Sequence, residues 1–379
     1  MHSRTMRAIA IGLALGAVGL SACGSDDDTS SDTPEAETTE GATDDGTDDG
    51  EAAAGDGCAP EDITLIGQVR NETNPYEKAW LDGGDTFAES VGLTQKRLTY
   101  GGDSQKQQDQ IRQELSSGNT ECFVLNVLPN GDADTAPIVA ATDDAGAFLV
   151  TQWNKPADLS PQDYDRWVSH ITYDGVDSGS QIAVAMFDAM GGSGGIVALQ
   201  GILDTGAAKD RYAGLEQALA DNPDITLLDQ QTANFSRAEA LTVMKTLITK
   251  HGDEIKGVWT ANDDMALGAI EALEAAGMEG VAVVGIDAVP EAVEAVNGGT
   301  MTATVSSDGP WQGGIGLAIG YCAAIGEIDV AGLPAINRAF YADQTLITGD
   351  NAADYLTPTV DPAEFACDRV FDRASAALS

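Results

Sequence analysis

Polar and aromatic side chains recur just beyond the apolar runs that the sequence predicts to be strands. They comprise amides, one carboxylate, one guanidinium and several aromatic rings: Asn74, Tyr76, Asn126, Gln152, Trp153, Asn154, Arg211, Phe235, Asn262 and Asp287. Aromatic faces stack on the C–H surfaces of a sugar or polyol, and polar forks exchange hydrogen bonds with its vicinal hydroxyls. Taken singly, Phe235 also fits a core, Arg211 a surface ion pair and Asn74 a helix cap. Their joint recurrence at strand ends indicates a binding cleft.

Catalytic and cofactor motifs are absent or misplaced. The run Gly191–Gly195 satisfies G-x-S-x-G, but a predicted helix precedes it and a strand follows, the reverse of a nucleophile elbow. Asp263 and Asp264 are adjacent at a helix start, so they diverge instead of facing each other as an acid–base pair. Neither a Walker A loop nor a G-x-G-x-x-G after a strand occurs. Without these motifs, we expect no enzyme and no cofactor. Because the three histidines and the cysteines are widely scattered, we also expect no metal site.

The stretch Gly257–Asp287 shows how such side chains are positioned. Two short apolar runs, GVWTA and VAVVGID, flank a helix-prone segment that begins at Asp263 and ends near Gly277. Since acidic residues favour a helix start and glycine a helix end, the stretch predicts a strand–helix–strand unit with a right-handed connection. Ligands of such sheets bind beyond the carboxyl ends of the strands, which is where Asn262 and Asp287 fall.

The same alternation runs through the chain from Ile63 onward. It predicts parallel sheets with helices on both faces. The 379 residues are too many for one ordinary domain, and two halves fit better. Because the first half has few strands before Asp174, its last helix is expected from Trp311–Ile325, so the chain passes between the halves more than once. On pattern alone, two independent sequential domains remain the alternative.

The N-terminus has the features of an export signal. Arg4 and Arg7 precede the apolar run Ala8–Leu20, which is shaped like a signal-peptide core. The following LSAC resembles a bacterial lipobox, which predicts a signal peptide over residues 1–22 and acylation of Cys23. We therefore expect the mature protein to be lipid-anchored at the outer face of the cell membrane. The alternative is a plain secretory signal followed by an unrelated cysteine.

Residues 23–60 are predicted to form a disordered acidic tether. Thirteen of the 61 acidic residues lie there, and no lysine or arginine occurs between Cys23 and Val69. The remainder of the chain is also acidic, and the formal net charge is -42. This charge argues against nucleic acid and against large anionic ligands, so a small neutral ligand fits better.

Four further cysteines are expected to form two disulfides, since the chain is predicted to be exported: Cys58, Cys122, Cys322 and Cys367. Three connectivities are possible. Cys58 precedes the first predicted strand and Cys122 begins the third, and these strands are neighbours in a doubly wound sheet, so the two thiols are expected to meet. Cys322 and Cys367 would then join a late helix to the last one.

Several stretches resemble the type I periplasmic binding proteins of ABC transporters, in particular the ribose-binding branch. The similarity spans about Asp62 to Ile347 and includes TNPY, LNVLP, ALQGILDTGAAKDRYAGLEQAL, NFSR, ANDDMALGAIEAL and VVGIDAVPEAVEAV. It implies an α/β fold of two doubly wound parallel-sheet lobes, joined by a three-crossing hinge near Tyr173, Ser307 and Asp343. The lobes would close over a ligand.

The resemblance also implies the extent of each lobe. The N-terminal lobe would comprise residues 61–173 plus 308–342, and the C-terminal lobe residues 174–307 plus 343–379. The strand-end residues that match family motifs acquire ligand-contacting roles: Asn74, Tyr76, Asn126, Arg211, Phe235, Asn262 and Asp287.

The chain departs from the ribose binders at three places. Where they carry an Asp-Arg pair after the fourth strand, this chain has Gln152, Trp153 and Asn154. The usual hinge glutamine is replaced near Asp308, which we count among the expected ligand contacts. The loop Lys155–Trp167 is longer than expected. These differences favour a linear tetritol or pentitol, or a different pentose, over ribose.

The resemblance thus implies a lipid-anchored, monomeric binding protein that delivers a small sugar or polyol to ABC permease subunits. The alternative is a sugar-sensing binding protein that signals to a membrane receptor, because the fold serves either partner. A sugar-responsive repressor would need an N-terminal helix-turn-helix to bind nucleic acid. This chain has the lipobox-like motif and the acidic stretch there instead.

Overall fold

The computed structural model describes residues 57–357 and 360–378. The expected signal peptide, the acylated Cys23 and the tether as far as Asp56 lie outside the described residues. Within the described part, no helix is long and apolar enough to cross a membrane.

Strands and α-helices alternate over most of these ranges. The strands are β1 (Thr64–Val69), β2 (Gln95–Thr99), β3 (Phe123–Val127), β4 (Phe148–Gln152), β5 (Trp167–Thr172), β6 (Gly194–Gln200), β7 (Ile225–Thr232), β8 (Ile255–Thr260), β9 (Ala282–Asp287), β10 (Ala303–Ser306), β11 (Ala339–Ala342), β12 (Leu346–Thr348) and β13 (Ala374–Ala377). The helices are α1 (Pro75–Ser90), α2 (Ser104–Leu115), α3 (Asp132–Asp144), α4 (Gly175–Ala189), α5 (Gly206–Asp221), α6 (Arg237–His251), α7 (Asp263–Ala275), α8 (Pro290–Gly298), α9 (Gly309–Ala324) and α10 (Ala335–Arg338).

The strands form two sheets, one in each lobe. The N-terminal lobe holds the order β13-β11-β5-β4-β3-β1-β2, and the C-terminal lobe holds β12-β10-β9-β8-β6-β7. The strands of each sheet are parallel except at one edge, where β13 and β12 run antiparallel to their neighbours. The expected fold class, two mainly parallel α/β lobes covered by helices, is confirmed.

Burial on both faces explains why the central strands read as continuous apolar runs. Every residue of β4 and β9 is buried. Helix α9 crosses back to cover the N-terminal sheet, as expected from Trp311–Ile325, and all of its residues except Pro310 are buried. Its glycines permit the close approach, since a Cβ at Gly313 would collide with the backbone of Trp80 in α1.

Three connections between the lobes lie close to the residues at which the resemblance placed them. They join β5 to α4, β10 to α9 and β11 to β12. The chain then returns to the N-terminal lobe once more, after Tyr355, because β13 pairs with β11.

This pairing corrects the expectation that all of residues 343–379 belong to the C-terminal lobe. The final segment is held on the N-terminal lobe by the Cys322–Cys367 disulfide to α9 and by Phe365, whose ring packs edge-on against Phe87 at 5.7 Å. It also supplies a hydrogen-bonding partner for β11, which would otherwise be the open edge of the sheet.

Both expected disulfides are formed. The Cα atoms are 5.8 Å apart in Cys58–Cys122 and 5.6 Å apart in Cys322–Cys367. Cys367 lies in a turn, however, and not in a final helix as expected.

Candidate functional site

A cavity of about 60 Å³ lies between the two lobes, beyond the carboxyl ends of the parallel strands. Since one buried water needs roughly 10–15 Å³, this space suits a ligand of only a few carbon atoms. Both lobes contribute to the lining. The N-terminal lobe supplies Arg70, Asn74, Tyr76, Glu77, Leu128, Trp153 and Asn154, and the C-terminal lobe supplies Thr205, Ala207, Arg211, Phe235, Asn262 and Asp287.

Two aromatic rings dominate the wall contributed by the N-terminal lobe. Tyr76 lies in the first turn of α1, where the side chain of Asn74 caps the helix by accepting from the Tyr76 amide. Trp153 follows β4 in a left-handed conformation, with φ of 65°. Its Nε1 donates to the Tyr76 hydroxyl at 2.9 Å, and that hydroxyl donates to Gln312. The hydrogen bonds therefore fix the orientation of both rings.

A buried ion pair dominates the wall contributed by the C-terminal lobe. Arg211 Nη2 lies 3.3 Å from Asp287 Oδ1, and the two side chains are only 4% and 6% exposed. Arg211 Nη1 donates to the Ala261 carbonyl at 2.6 Å, while Nε has no hydrogen-bond partner among the described residues. Asn262 caps α7 by accepting from the Met265 amide at 3.1 Å. This wall therefore presents carboxylate acceptors and a guanidinium donor side by side.

The two walls touch each other. The Trp153 ring lies over the Arg211 guanidinium at 4.8 Å, which is a cation–π contact between the lobes. Asn74 Nδ2 donates to the Phe235 carbonyl at 3.3 Å. The Phe235 ring lies against Gly201, where any Cβ would collide with it. The cavity is thus enclosed by aromatic faces and lined by polar groups from both lobes.

Comparison with known proteins identifies the family. Residues 69–328 match the family described as periplasmic binding protein domain, which covers more than half of the chain. The chain belongs to this family. The resemblance inferred from the sequence motifs is confirmed.

Several relatives are known in more detail. The xylitol-binding protein of Mycolicibacterium smegmatis is 33% identical over 72% of this chain and 76% of its own length. The ribose import binding protein of Escherichia coli is 31% identical over 67% of this chain and 81% of its own length. The crystal structure of a twin-arginine translocation pathway signal protein from Burkholderia phytofirmans has a TM-score of 0.80 and 41% identity, and covers 84% of this chain and 98% of its own.

In this periplasmic binding protein, most of the residues expected at the site line one cavity: Asn74, Tyr76, Trp153, Asn154, Arg211, Phe235, Asn262 and Asp287. Asn126 and Gln152 instead lie behind its wall, fully buried. Gln152 Nε2 donates to Asn126 Oδ1 at 3.0 Å, and Asn126 Nδ2 donates to the Gly313 carbonyl at 2.9 Å. These two amides tie β3 and β4 to α9 and support the wall from behind.

Asp308 lies at the hinge and not in the cavity. It caps α9 by accepting from the Trp311 amide at 3.2 Å, and it forms an ion pair with Arg373 of the final segment. It lines a separate, larger cavity on the hinge side, which shares Tyr76 and Asp287 with the first. The expected ligand contact is therefore corrected to a contact of the hinge.

Sequence reasoning missed five lining residues: Arg70, Glu77, Leu128, Thr205 and Ala207. Arg70 directly follows β1, so the strand-end pattern that found the other residues applied to it as well. Its Nη1 lies 3.3 Å from Glu77 Oε1. Burial raises the pKa of the Glu77 carboxyl, and Arg70 partly opposes this shift. The apolar Leu128 and Ala207 carried no comparable signal.

The protonation of two buried carboxyl groups, Asp287 and Asp263, determines the charge at the C-terminal wall. Burial raises the pKa of Asp287 to about 6, although the neighbouring Arg211 lowers it. Burial, and then the charge of Asp287, raise the pKa of Asp263 to about 8. Burial thus makes both carboxyl groups easier to protonate than an exposed aspartate. In the described part of the chain, no group of three or more His, Cys, Asp or Glu side chains is placed to hold a metal ion.

The raised pKa of Asp287 predicts a pH-dependent stability of the ligand-free protein. A carboxyl that is more easily protonated in the folded state stabilises that state at low pH. The contribution is lost as the pH rises from about 4, the pKa of an unfolded aspartate, through 6. We expect the free energy of unfolding of the wild type, measured relative to Asp287→Asn by urea titration, to fall over this range.

Asp229→Asn provides a control of opposite sign. Lys250 and Gln231 hydrogen-bond to the Asp229 carboxylate and lower its pKa. Relative to that variant, the wild type should gain stability as the pH rises through 4. If the wild type also gains stability relative to Asp287→Asn as the pH rises, burial does not govern the Asp287 carboxyl.

Proposed function

We propose that this chain is the solute-binding protein of an ABC importer and that it takes a small neutral polyol or pentose, with linear pentitols such as xylitol first among the candidates. It acts by binding and without catalysis. The observation that carries the proposal is the enclosed cavity in which the Trp153 ring faces the Arg211–Asp287 pair. The 33% identity to a xylitol-binding protein supports the same ligand class.

Charge balance inside the cavity favours a neutral ligand. Both cations of the lining already have a carboxylate partner, Arg211 with Asp287 and Arg70 with Glu77. A charged ligand would unbalance one of these pairs in a place where water is scarce. Hydroxyl groups do not, because each can accept from a guanidinium N–H and donate to a carboxylate oxygen.

The partially satisfied groups fit adjacent hydroxyls. Arg211 Nε is buried and lacks a protein partner among the described residues, and an unmatched buried donor costs free energy. A ligand hydroxyl at this nitrogen would supply the acceptor, while the next hydroxyl along the carbon chain would reach Asp287. The faces of Trp153 and Phe235 would cover the C–H surface.

A panel of ligands tests this proposal. Xylitol, other pentitols, tetritols, pentoses and hexoses are compared by thermal unfolding. A ligand at 100 times its dissociation constant should add about 2.7 kcal/mol to the free energy of unfolding. Asp287→Asn should abolish the shift, because it removes a charged acceptor. Asp264→Asn, which changes a carboxylate in the first turn of α7 and its ion pair with Arg237, should retain it. No shift with any neutral polyol or sugar would refute the ligand class.

Contacts at the rim of the cleft support closure of the lobes as the binding step. Gly206 is the first residue of α5, so its amide lacks a partner within the helix. It donates to Asp132 Oδ1 at 3.0 Å and to Asn154 Oδ1 at 3.1 Å, both in the opposite lobe. Lys209 Nζ lies 2.7 Å from Asp132 Oδ2. A carboxylate of one lobe thus caps a helix of the other.

Lys209→Met should therefore accelerate ligand release. An ion pair exposed as much as this one is worth about 0.2–1 kcal/mol, so the dissociation constant should rise by a factor of about 1.4 to 5. The change should appear mainly in the dissociation rate, and it should shrink in high salt. Lys250→Met removes a comparable pair, with Asp229, inside the C-terminal lobe and should leave both constants unchanged. An equal effect of both variants would exclude the rim contact as a determinant of closure.

We also propose that Cys23 carries a lipid anchor and that residues 23–60 tether the lobes to the outer face of the membrane, next to the permease. The proposal rests on the LSAC motif and the acidic composition that follows it. Cys23→Ser should move the protein from the membrane fraction to the soluble fraction. The mass of its N-terminal peptide should show no acylation. Ligand affinity should not change. Retention of the variant in the membrane fraction would contradict the anchor.

A further inference from the structure

The turn that carries Asp287 has an unfavourable backbone conformation. Asp287 has φ of 129° and Ala288 has φ of 53°, although neither residue is glycine. Side chains other than glycine rarely adopt such angles, and they persist only where the surrounding contacts hold them. What holds this turn therefore determines where the Asp287 carboxylate lies.

Two buried side chains, Thr304 and Asp263, hold the turn. Each accepts a hydrogen bond from one amide of the turn, and a third hydrogen bond joins the two side chains. The Ala288 amide donates to Thr304 Oγ1 at 3.2 Å, and the Val289 amide donates to Asp263 Oδ2 at 3.0 Å. Thr304 Oγ1 in turn donates to Asp263 Oδ1 at 2.7 Å. Asp263 and Thr304 are both fully buried, and neither is among the residues that line the cavity.

The absence of a side chain at Gly285 makes space for this arrangement. Gly285 lies in β9 opposite Thr304 of β10. A Cβ on Gly285 would lie 2.5 Å from Asp263 Oδ1, so any larger residue would displace the carboxyl group. The glycine, the aspartate and the threonine thus form one unit beneath the turn.

We propose that Asp263 and Thr304 are positioning residues that set the affinity of the site by fixing the Asp287 turn. Two donors, the Val289 amide and the Thr304 hydroxyl, converge on the two oxygens of Asp263. A carboxyl group has an oxygen for each, whereas an asparagine has one. The side chain of Asp264, the next residue of α7, instead accepts hydrogen bonds from Arg237 and makes none with the turn.

Calorimetric titration with xylitol tests the proposal, which rests on the proposed function. Thr304→Val removes the hydroxyl at nearly constant volume and should weaken binding about tenfold. Thr304→Ser keeps the hydroxyl and should bind within about twofold of the wild type. The control is Thr142→Val, which removes a buried hydroxyl bonded to helix carbonyls in α3, far from the turn. It should bind as the wild type does.

Wild-type affinity in Thr304→Val would overturn the proposal, and so would an equal loss in Thr304→Ser or in Thr142→Val. If Thr304→Val does not fold, Ala288→Gly is added to it, because glycine accepts a positive φ without strain. The double variant should fold and should bind more weakly than Ala288→Gly alone. Equal affinities of those two proteins would also overturn the proposal.

Amide hydrogen exchange in the ligand-free protein separates this proposal from the proposed function. Thr304→Val should accelerate exchange of the Ala288 amide, and Thr304→Ser should not. If the wild type binds no polyol or sugar while the exchange rates change as expected, the proposed function fails and the positioning of the turn stands. An unchanged rate at Ala288 in Thr304→Val would refute the positioning role whatever the ligand.

Discussion

The buried ion pair between Arg211 and Asp287 is the constraint on which the cleft depends. Charges removed from water are tolerated only where other polar contacts replace their hydration. Arg211 finds two such contacts, the Ala261 carbonyl in its own lobe and the Trp153 ring in the other. Because one of them comes from the opposite lobe, Arg211 has both contacts only when the lobes meet. The energetics of closure and of ligand recognition are therefore linked at the same side chains.

The sequence alone predicted the fold class and most of the cavity. Alternating strands and helices imply parallel sheets, and parallel strands bring their carboxyl ends to one edge, so Asn262 and Asp287 could be placed together without a structure. The same reasoning paired Cys58 with Cys122. These inferences succeeded because they follow from strand order, which the chain pattern records directly. The same rule applies to Arg70, which directly follows β1 and also lines the cavity.

Other features depend on information that the pattern does not carry. Strand β4 ends at Gln152, whose side chain lies behind the wall, and the left-handed conformation of the next residue turns the Trp153 ring into the cavity. The last strand, β13, consists of small residues without apolar alternation and is placed by the edge of β11 and the nearby disulfide. The network of Asp263 and Thr304 joins residues about forty positions apart, and it supports a turn whose backbone angles the sequence pattern does not predict.

Because Trp153 lines the cavity, the intrinsic fluorescence of the protein can report ligand binding. The other four tryptophans are 2% exposed or less, within the lobes: Trp80, Trp167, Trp259 and Trp311. Trp153 alone among the five lies in the cavity, against a guanidinium and beside a tyrosine. Entry of a ligand alters the surroundings of one indole and leaves four as a constant background. Intrinsic fluorescence can therefore follow occupancy of the cleft without a label.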